Sequence, residues 1–427
     1  MTATARRSAR PTDLLALAQA RQDAFLADLA ALVAIDSGSH SPRGIGRVAD
    51  WTAARLERLG FTVERHRRPE ARGHVHGDVL IARRAGALSR AAGGRRVLLA
   101  AHMDTVFEDG TAAARPFRVE ETRAHGPGVS DDKGGLLAGL TALEVLAEAG
   151  CEDWAELVFV ATGDEEIGSP ASRPLTEAAC EGVDVALALE CARENGDVVI
   201  ARKGVADFLL TVTGRAAHAG IEPERGANAA LAAAHLVVEL QNLNGRWEGV
   251  TVNVGTVRAG TRTNIVCPEA ELGVEVRAAT AAGLAAARRA IEGAAARPAV
   301  AGTTVAVRQL DECPPMEATD ASREILRRAR EAATALGLSL GAAATGGVGD
   351  ANYIAGTGVP VLDGLGPVGG ADHTPREWLR VDTVPTRVAL LAALIAAVGG
   401  RGGAHGPVRA SVPAPQDLRV LDRRDRC

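Results

Sequence analysis

The sequence predicts an α/β protein whose mostly parallel sheet, flanked by helices, is interrupted by a second domain of α+β type. Three observations predict it. The segments 97–101, 157–161 and 185–189 are short and continuously apolar, as strands buried on both faces must be. From about 205 to 309 apolar and polar residues alternate instead, which suits strands covered on one face only. The length, 427 residues, is too great for one ordinary domain.

Taken in order, the first ordered element reads as a helix over 14–33. A second spans about 45–59, with Ile45, Val48, Thr52, Leu56 and Leu59 on one face and Gly60 as the stop. The strand 97–101 follows, then a helix over 135–149 ended by Gly150, then the strands 157–161 and 185–189. In the next region, 208–213, 252–257, 272–276 and 304–307 read as strands and 228–240 and 281–295 as helices. Leu272, Val274 and Val276 point one way while Glu271, Glu275 and Arg277 point the other. The order β-α-β-β-α-β is that of a ferredoxin-like sandwich. The expected division is a first domain over 1–204, an inserted domain over 205–312, a return to the first domain over 313–398, and a flexible Gly-, Pro- and Arg-rich tail over 399–427.

Composition narrows the function classes. With 47% hydrophobic and 24% charged residues the chain is ordinary for a globular protein. Its net charge is −5 and it carries no basic stripe, so neither nucleic acid nor a membrane surface is an expected partner. The basic residues are arginines apart from Lys133 and Lys203. Six cysteines (Cys151, Cys180, Cys191, Cys267, Cys313, Cys427) lie far apart without a C-x-x-C pair, which reads as reduced thiols. No secretory signal is visible, and the longest apolar run, 388–398, is shorter than a membrane span. A cytoplasmic protein is expected.

Each buried strand runs into acid or imidazole. The first leads to His102 and Asp104, the second to Asp164-Glu165-Glu166, the third to Glu190. Between the first two, Gly126-Pro127-Gly128-Val129-Ser130-Asp131-Asp132-Lys133-Gly134-Gly135 is an acid-bearing glycine loop opening a helix. Ligands of open α/β sheets gather at the carboxyl ends of the strands, so these groups should converge. Several carboxylates share a site only when cations hold them, and a histidine among them suits a first-row divalent metal. Asp131, Glu166 and Glu190 with one hydroxide carry −4, which two divalent ions neutralise. Singly, each signal has a bland reading: a satisfied core histidine, a solvated acidic pair, or an aspartate capping a helix. Their occurrence at successive strand ends favours the metal.

The segments 102–106, 126–135 and 164–166 resemble those of the metallopeptidase family of glutamate carboxypeptidase, aminoacylase, acetylornithine deacetylase and succinyl-diaminopimelate desuccinylase, most nearly the first branch. The likeness runs to about Val398. It implies a zinc-peptidase-like sheet with the inserted domain serving as lid and dimerisation domain. His102 and Glu190 resemble ligands of one metal, Glu166 and His373 ligands of the other, and Asp131 the carboxylate bridging both. Two zinc ions are implied, with cobalt or manganese as alternatives. Asp104 would orient His102, and Glu165 resembles the general base. His218 matches a histidine that reaches the partner subunit's active site to stabilise an oxyanion. Asn264 and Arg277 match residues holding a substrate carboxylate; a guanidinium suits that task because it binds bidentately.

The resemblance thus implies a homodimeric carboxypeptidase. It would cleave the amide bond of a C-terminal or N-acylated amino acid, glutamate among the candidates, through a hydroxide bridging two zinc ions. The alternatives are an aminoacylase or N-acetyl-amino-acid deacetylase, and a catalytically silent binding homologue. The last requires a damaged ligand or base position, and none is seen. Arg202 and Lys203 would favour an acidic side chain. The run 364–369 fits G-x-G-x-x-G, but Pro367 interrupts it and no helical pattern follows, so a dinucleotide loop is not expected.

Overall fold

The computed structural model describes residues 10–400 and 419–420. The chain forms two compact units. The larger comprises the chain up to Ile200, Ala318–Thr345 and the part from Gly349 onward; the smaller comprises Ala201–Glu317 with Gly346–Val348.

The larger unit is built on a six-stranded sheet. From edge to edge its strands are Thr62–His66, Val79–Ala85, Glu156–Thr162, Arg96–His102, Val185–Ala188 and Val361–Leu362. The first two pairings are antiparallel and the other three parallel, so five strands run one way and Val79–Ala85 runs against them. Leu99 stands opposite both Phe159 and Leu187, and all three are buried. Continuous burial explains the continuous apolarity of these strands.

Helices complete this core. Lys133–Glu148 packs beside Val384–Gly399, which also meets Pro11–Gln19 and Asp320–Ala335. The stretch Val381–Gly399 is long and apolar enough to cross a membrane, but most of it is buried inside the unit, which accounts for its composition. The helix expected over 14–33 is two helices, Pro11–Gln19 and Gln22–Val33. Between them Arg21 turns its guanidinium back onto the Leu17 carbonyl at 3.2 Å, satisfying one of the groups left open at the first helix's end.

The smaller unit holds a four-stranded antiparallel sheet in the order Thr251–Ala259, Glu269–Ala278, Gly204–Thr213, Thr304–Cys313. Helices Ala229–Gln241 and Ala281–Ala295 cover one face. Phe208, Leu210 and Val212 alternate with half-buried neighbours and pack with Leu272, Val274, Leu236 and Ile291. Asn228 and Thr280 cap the two helices, accepting the amides of Leu231 and Gly283 at 3.1 and 3.0 Å; such caps contribute about 1 kcal/mol each. This unit starts at Ala201 rather than 205 and runs to Glu317 rather than 312. Paired backbone bonds between Arg202 and Met316 draw both flanks into it. The tail expected over 399–427 lies outside the described residues except for its first two residues and Arg419–Val420, which pair in parallel with Ala343 and Ala344.

Candidate metal centre

The parallel strands place the acidic and imidazole side chains together. Strand Arg96–His102 ends in His102, which is 1% exposed. Its Nδ1 faces Asp104, 3.1 Å from the backbone carbonyl and 3.3 Å from Oδ1. That fixes the ring so that Nε2 lies 2.9 Å from Asp131 Oδ1 and 3.8 Å from Glu190 Oε1. His373 approaches from the other side, its Nε2 3.0 Å from Asp131 Oδ2 and 3.1 Å from Glu166 Oε2. Two donor sets result, His102–Asp131–Glu190 and Asp131–Glu166–His373. They share Asp131, which turns one oxygen to each.

The donor set fits metal ions. Donors bonded to one tetrahedral zinc at 2.0–2.1 Å are about 3.4 Å apart, close to the separations observed. The second oxygen of Glu166, buried, has no hydrogen-bond partner among the described residues. Electrostatics agree. Burial opposes a charge on His102, but Asp104 and Asp131 hold its pKa well above the ordinary value. Asp131 and then Glu166 raise that of His373 to about 11. Burial, reinforced by Glu190, Asp350 and Glu166, pushes the Glu165 carboxyl well above the carboxylate range. The centre attracts positive charge, whether protons or metal.

The glycine loop is shaped by close approach. A Cβ on Gly135 would stand 1.9 Å from the Leu189 carbonyl, and one on Gly366 2.4 Å from the same oxygen. Both glycines therefore press on the backbone that ends in Glu190. The run 364–369 serves this packing, and the Gly366 amide donates to the Glu190 carbonyl at 2.9 Å. The Asp131–Asp132 peptide is cis. Asp132 precedes helix Lys133–Glu148 yet makes no side-chain cap; its Oδ2 accepts the His102 amide at 3.2 Å. Lys133 is 1% exposed and donates to the Ile35 carbonyl at 2.7 Å, and burial lowers its pKa to about 7.

Several supporting residues were absent from the sequence reading. Asp104 Oδ2 accepts the Ser39 hydroxyl at 2.7 Å, and the same carboxylate receives the amides of Glu165 and Glu166, each at 3.2 Å. Asp350, buried, accepts the hydroxyls of Thr162 and Ser169, both at 2.6 Å, bracketing the turn that carries Glu165. Glu377 accepts three amides of the glycine loop. Glu377 offered one signal, an acid four residues after His373. Ser39 offered none.

His218, Asn264 and Arg277 belong to the smaller unit. His218 and Asn264 lie on adjoining segments, where Ala219 donates its amide to the Asn264 carbonyl at 3.1 Å and His218 bridges to Ile265. His218 Nδ1 accepts the Gly220 amide at 3.1 Å, so the neutral ring carries its proton on Nε2. Arg277 is held by Glu275 through Nε at 2.8 Å and Nη2 at 3.0 Å, and Nη1 donates to the Gly346 carbonyl at 2.8 Å.

Comparison with known proteins places this centre in context. The profile of "Peptidase family M20/M25/M40" matches residues 98–397. Carboxypeptidase G2 of Pseudomonas sp. (strain RS-16) is 32% identical over 402 residues, covering 93% of this chain and 94% of that one. N-acetyl-L-citrulline deacetylase of Xanthomonas campestris pv. campestris is 30% identical over 276 residues, 61% of this chain and 66% of that one. Among solved structures, aminopeptidase PepT from Bacillus cereus superposes with a TM-score of 0.69 at 24% identity, over 88% of this chain and 98% of its own.

Proposed function

This chain belongs to peptidase family M20/M25/M40 and is a metal-dependent hydrolase, and on that premise we propose that it cleaves the amide bond of a C-terminal or N-acylated amino acid with two zinc ions at the centre. The observation that carries the reading is the sharing of Asp131, one oxygen to His102 and Glu190, the other to Glu166 and His373. Cobalt or manganese suits the same nitrogen and oxygen donors. Ions held there would polarise the scissile carbonyl and acidify bound water.

The protein's own groups supply the rest. Glu165 accepts the proton of the attacking water and hands it to the leaving nitrogen. Asp104 acts as a positioning residue, holding His102 by Nδ1 and the Glu165–Glu166 backbone by its amides. His218 presents Nε2–H to the oxyanion in the partner subunit's active site, a role its Gly220 bond supports. Arg277 and Asn264 take the substrate's free carboxylate, Arg277 through the donors that Glu275 and Gly346 leave over.

Similarity to carboxypeptidase G2 along 93% of the chain favours a carboxypeptidase, with glutamate as the first residue to test. The second reading, an N-acetyl-amino-acid deacetylase, draws on the shorter likeness to N-acetyl-L-citrulline deacetylase. The protein acts as a homodimer joined through the smaller unit, where Leu231 and Val238 are 50% and 62% exposed on helix Ala229–Gln241 and Thr251–Ala259 is an open edge strand. It works in the cytoplasm, a reading supported by cysteines that form no disulfide among the described residues.

A metal-reconstituted screen of N-acyl amino acids and dipeptides, with products identified by mass, tests the reading: acyl-glutamates should release glutamate, and acetate release from N-acetyl amino acids would favour the second. Glu165→Gln should retain metal and lose about 10²–10⁴-fold in kcat. A variant as fast as wild type would remove Glu165 from the mechanism.

A further inference from the structure

The backbone carrying Asp131 is held by one buried side chain. Glu377 is 1% exposed. One of its carboxylate oxygens accepts the Gly128 amide at 2.9 Å; the other accepts those of Ser130 at 2.8 Å and Asp131 at 3.0 Å. Burying a carboxylate is costly, and three charge-assisted hydrogen bonds offset that cost only if the loop keeps this one shape. Both oxygens are occupied by the loop, so Glu377 is not a further ligand.

Its place in the chain gives the arrangement its meaning. Glu377 lies four residues beyond His373, and its amide closes the intervening turn on the Thr374 carbonyl at 3.2 Å. His373 and Ala371 both adopt left-handed backbone conformations, φ 62° and 56°, which non-glycine residues keep only when their surroundings impose them. One carboxylate therefore ties the segment bearing His373 to the loop bearing Asp131. The Asp131–Glu166–His373 set needs both segments in register. The His102–Asp131–Glu190 set needs only the loop.

We propose that Glu377 is a positioning residue that sets the spacing of Asp131 and His373, and through it the affinity of the Asp131–Glu166–His373 set for its cation. This rests on the reading of those residues as ligands. Glu377→Gln keeps the shape but must turn an NH₂ toward at least one loop amide.

Metal-stripped wild type, Glu377→Gln and His373→Ala are titrated with zinc against a chromophoric chelator. Wild type should take two ions and His373→Ala one. Glu377→Gln should bind the ion that His373→Ala loses about 10–100-fold less tightly, the range typical of lost supporting contacts, with the other ion changed less and excess zinc restoring kcat. If wild type and His373→Ala behave as stated while Glu377→Gln binds both ions at wild-type affinity, the proposal is wrong and the ligand reading stands. If wild type takes fewer than two, or His373→Ala retains both, the ligand reading fails and the proposal falls with it.

Should Glu377→Gln not fold, hydrogen exchange over 126–133 of metal-free wild type decides. Slow exchange that zinc does not alter supports a loop fixed by Glu377. Fast exchange slowed only by zinc would mean that the ion, not Glu377, orders the loop.

Discussion

His373 sits half-exposed with its Nε2 between two carboxylates, and this predicts how metal and protons compete. Without metal, Asp131 and then Glu166 raise its pKa to about 11, against about 6.5 in an unfolded chain. The folded value is the higher one, so the charged pair stabilises the metal-free fold fully below about pH 6.5 and loses that contribution as pH rises through about 11. Ligation requires the neutral ring. Zinc added to metal-free protein at pH 8 should therefore release at least two protons, those of His373 and His102, visible as a dependence of the binding enthalpy on buffer ionisation heat. No release would contradict imidazole ligation. At this scale the sequence was most informative where a polar residue ended an apolar run, as at His102, Glu166 and Glu190. It was least informative where a contact crosses the chain: Ser39 reaches Asp104 over 65 positions and Glu377 reaches Gly128 over 249. Asp132 had the look of a cap, yet its carboxylate bonds the His102 amide, because the strand end offers a buried donor that water cannot reach.

Among the elements, helix Val384–Gly399 shows what an apolar pattern conceals. Its apolar run 388–398 is legible in the sequence, and Arg387 stands just ahead of it. What the pattern could not reveal is that Arg387, 4% exposed, donates to the carbonyls of Gly366 at 2.9 Å, Gly364 at 2.5 Å and Gly196 at 3.2 Å. Burial lowers its pKa to about 10, which leaves it charged at neutral pH. Because the Gly366 amide bonds the Glu190 carbonyl, this helix braces the strand end that presents Glu190. Arg387→Met keeps the apolar stem and abandons three carbonyls, two of them bonded within the core. A loss of about 2–4 kcal/mol is expected, read as a lower urea midpoint with an unchanged slope. A loss under about 0.5 kcal/mol would mean that water takes over the carbonyls. Helix and strand ends differ from expectation by a few residues where flanking backbone bonds continue past the last patterned side chain, as in Gly204–Thr213.

For the whole molecule, the change from continuous to alternating apolarity announced two units. The assignment of Gly346–Val348 to the smaller unit was not legible, because three residues carry no period. The exposed side chains on Ala229–Gln241 predict assembly. Wild type should sediment at twice the 44.0 kDa chain mass. The double variant Leu231→Glu, Val238→Glu should sediment as a folded monomer, since exposed substitutions alter stability by less than about 0.5 kcal/mol. A monomeric wild type would refute the interface. The dispersal of the centre along the chain has a last consequence, for the order of events during synthesis. His102 and His373 are 271 positions apart, and Glu377 and Arg387 come later still. At about 5–20 residues per second, roughly 15–55 s separate the emergence of the first histidine from that of the last. A ribosome-bound chain is thus unable to close the centre until His373 has emerged, and the choice of ion falls to a polypeptide that already carries both donor sets.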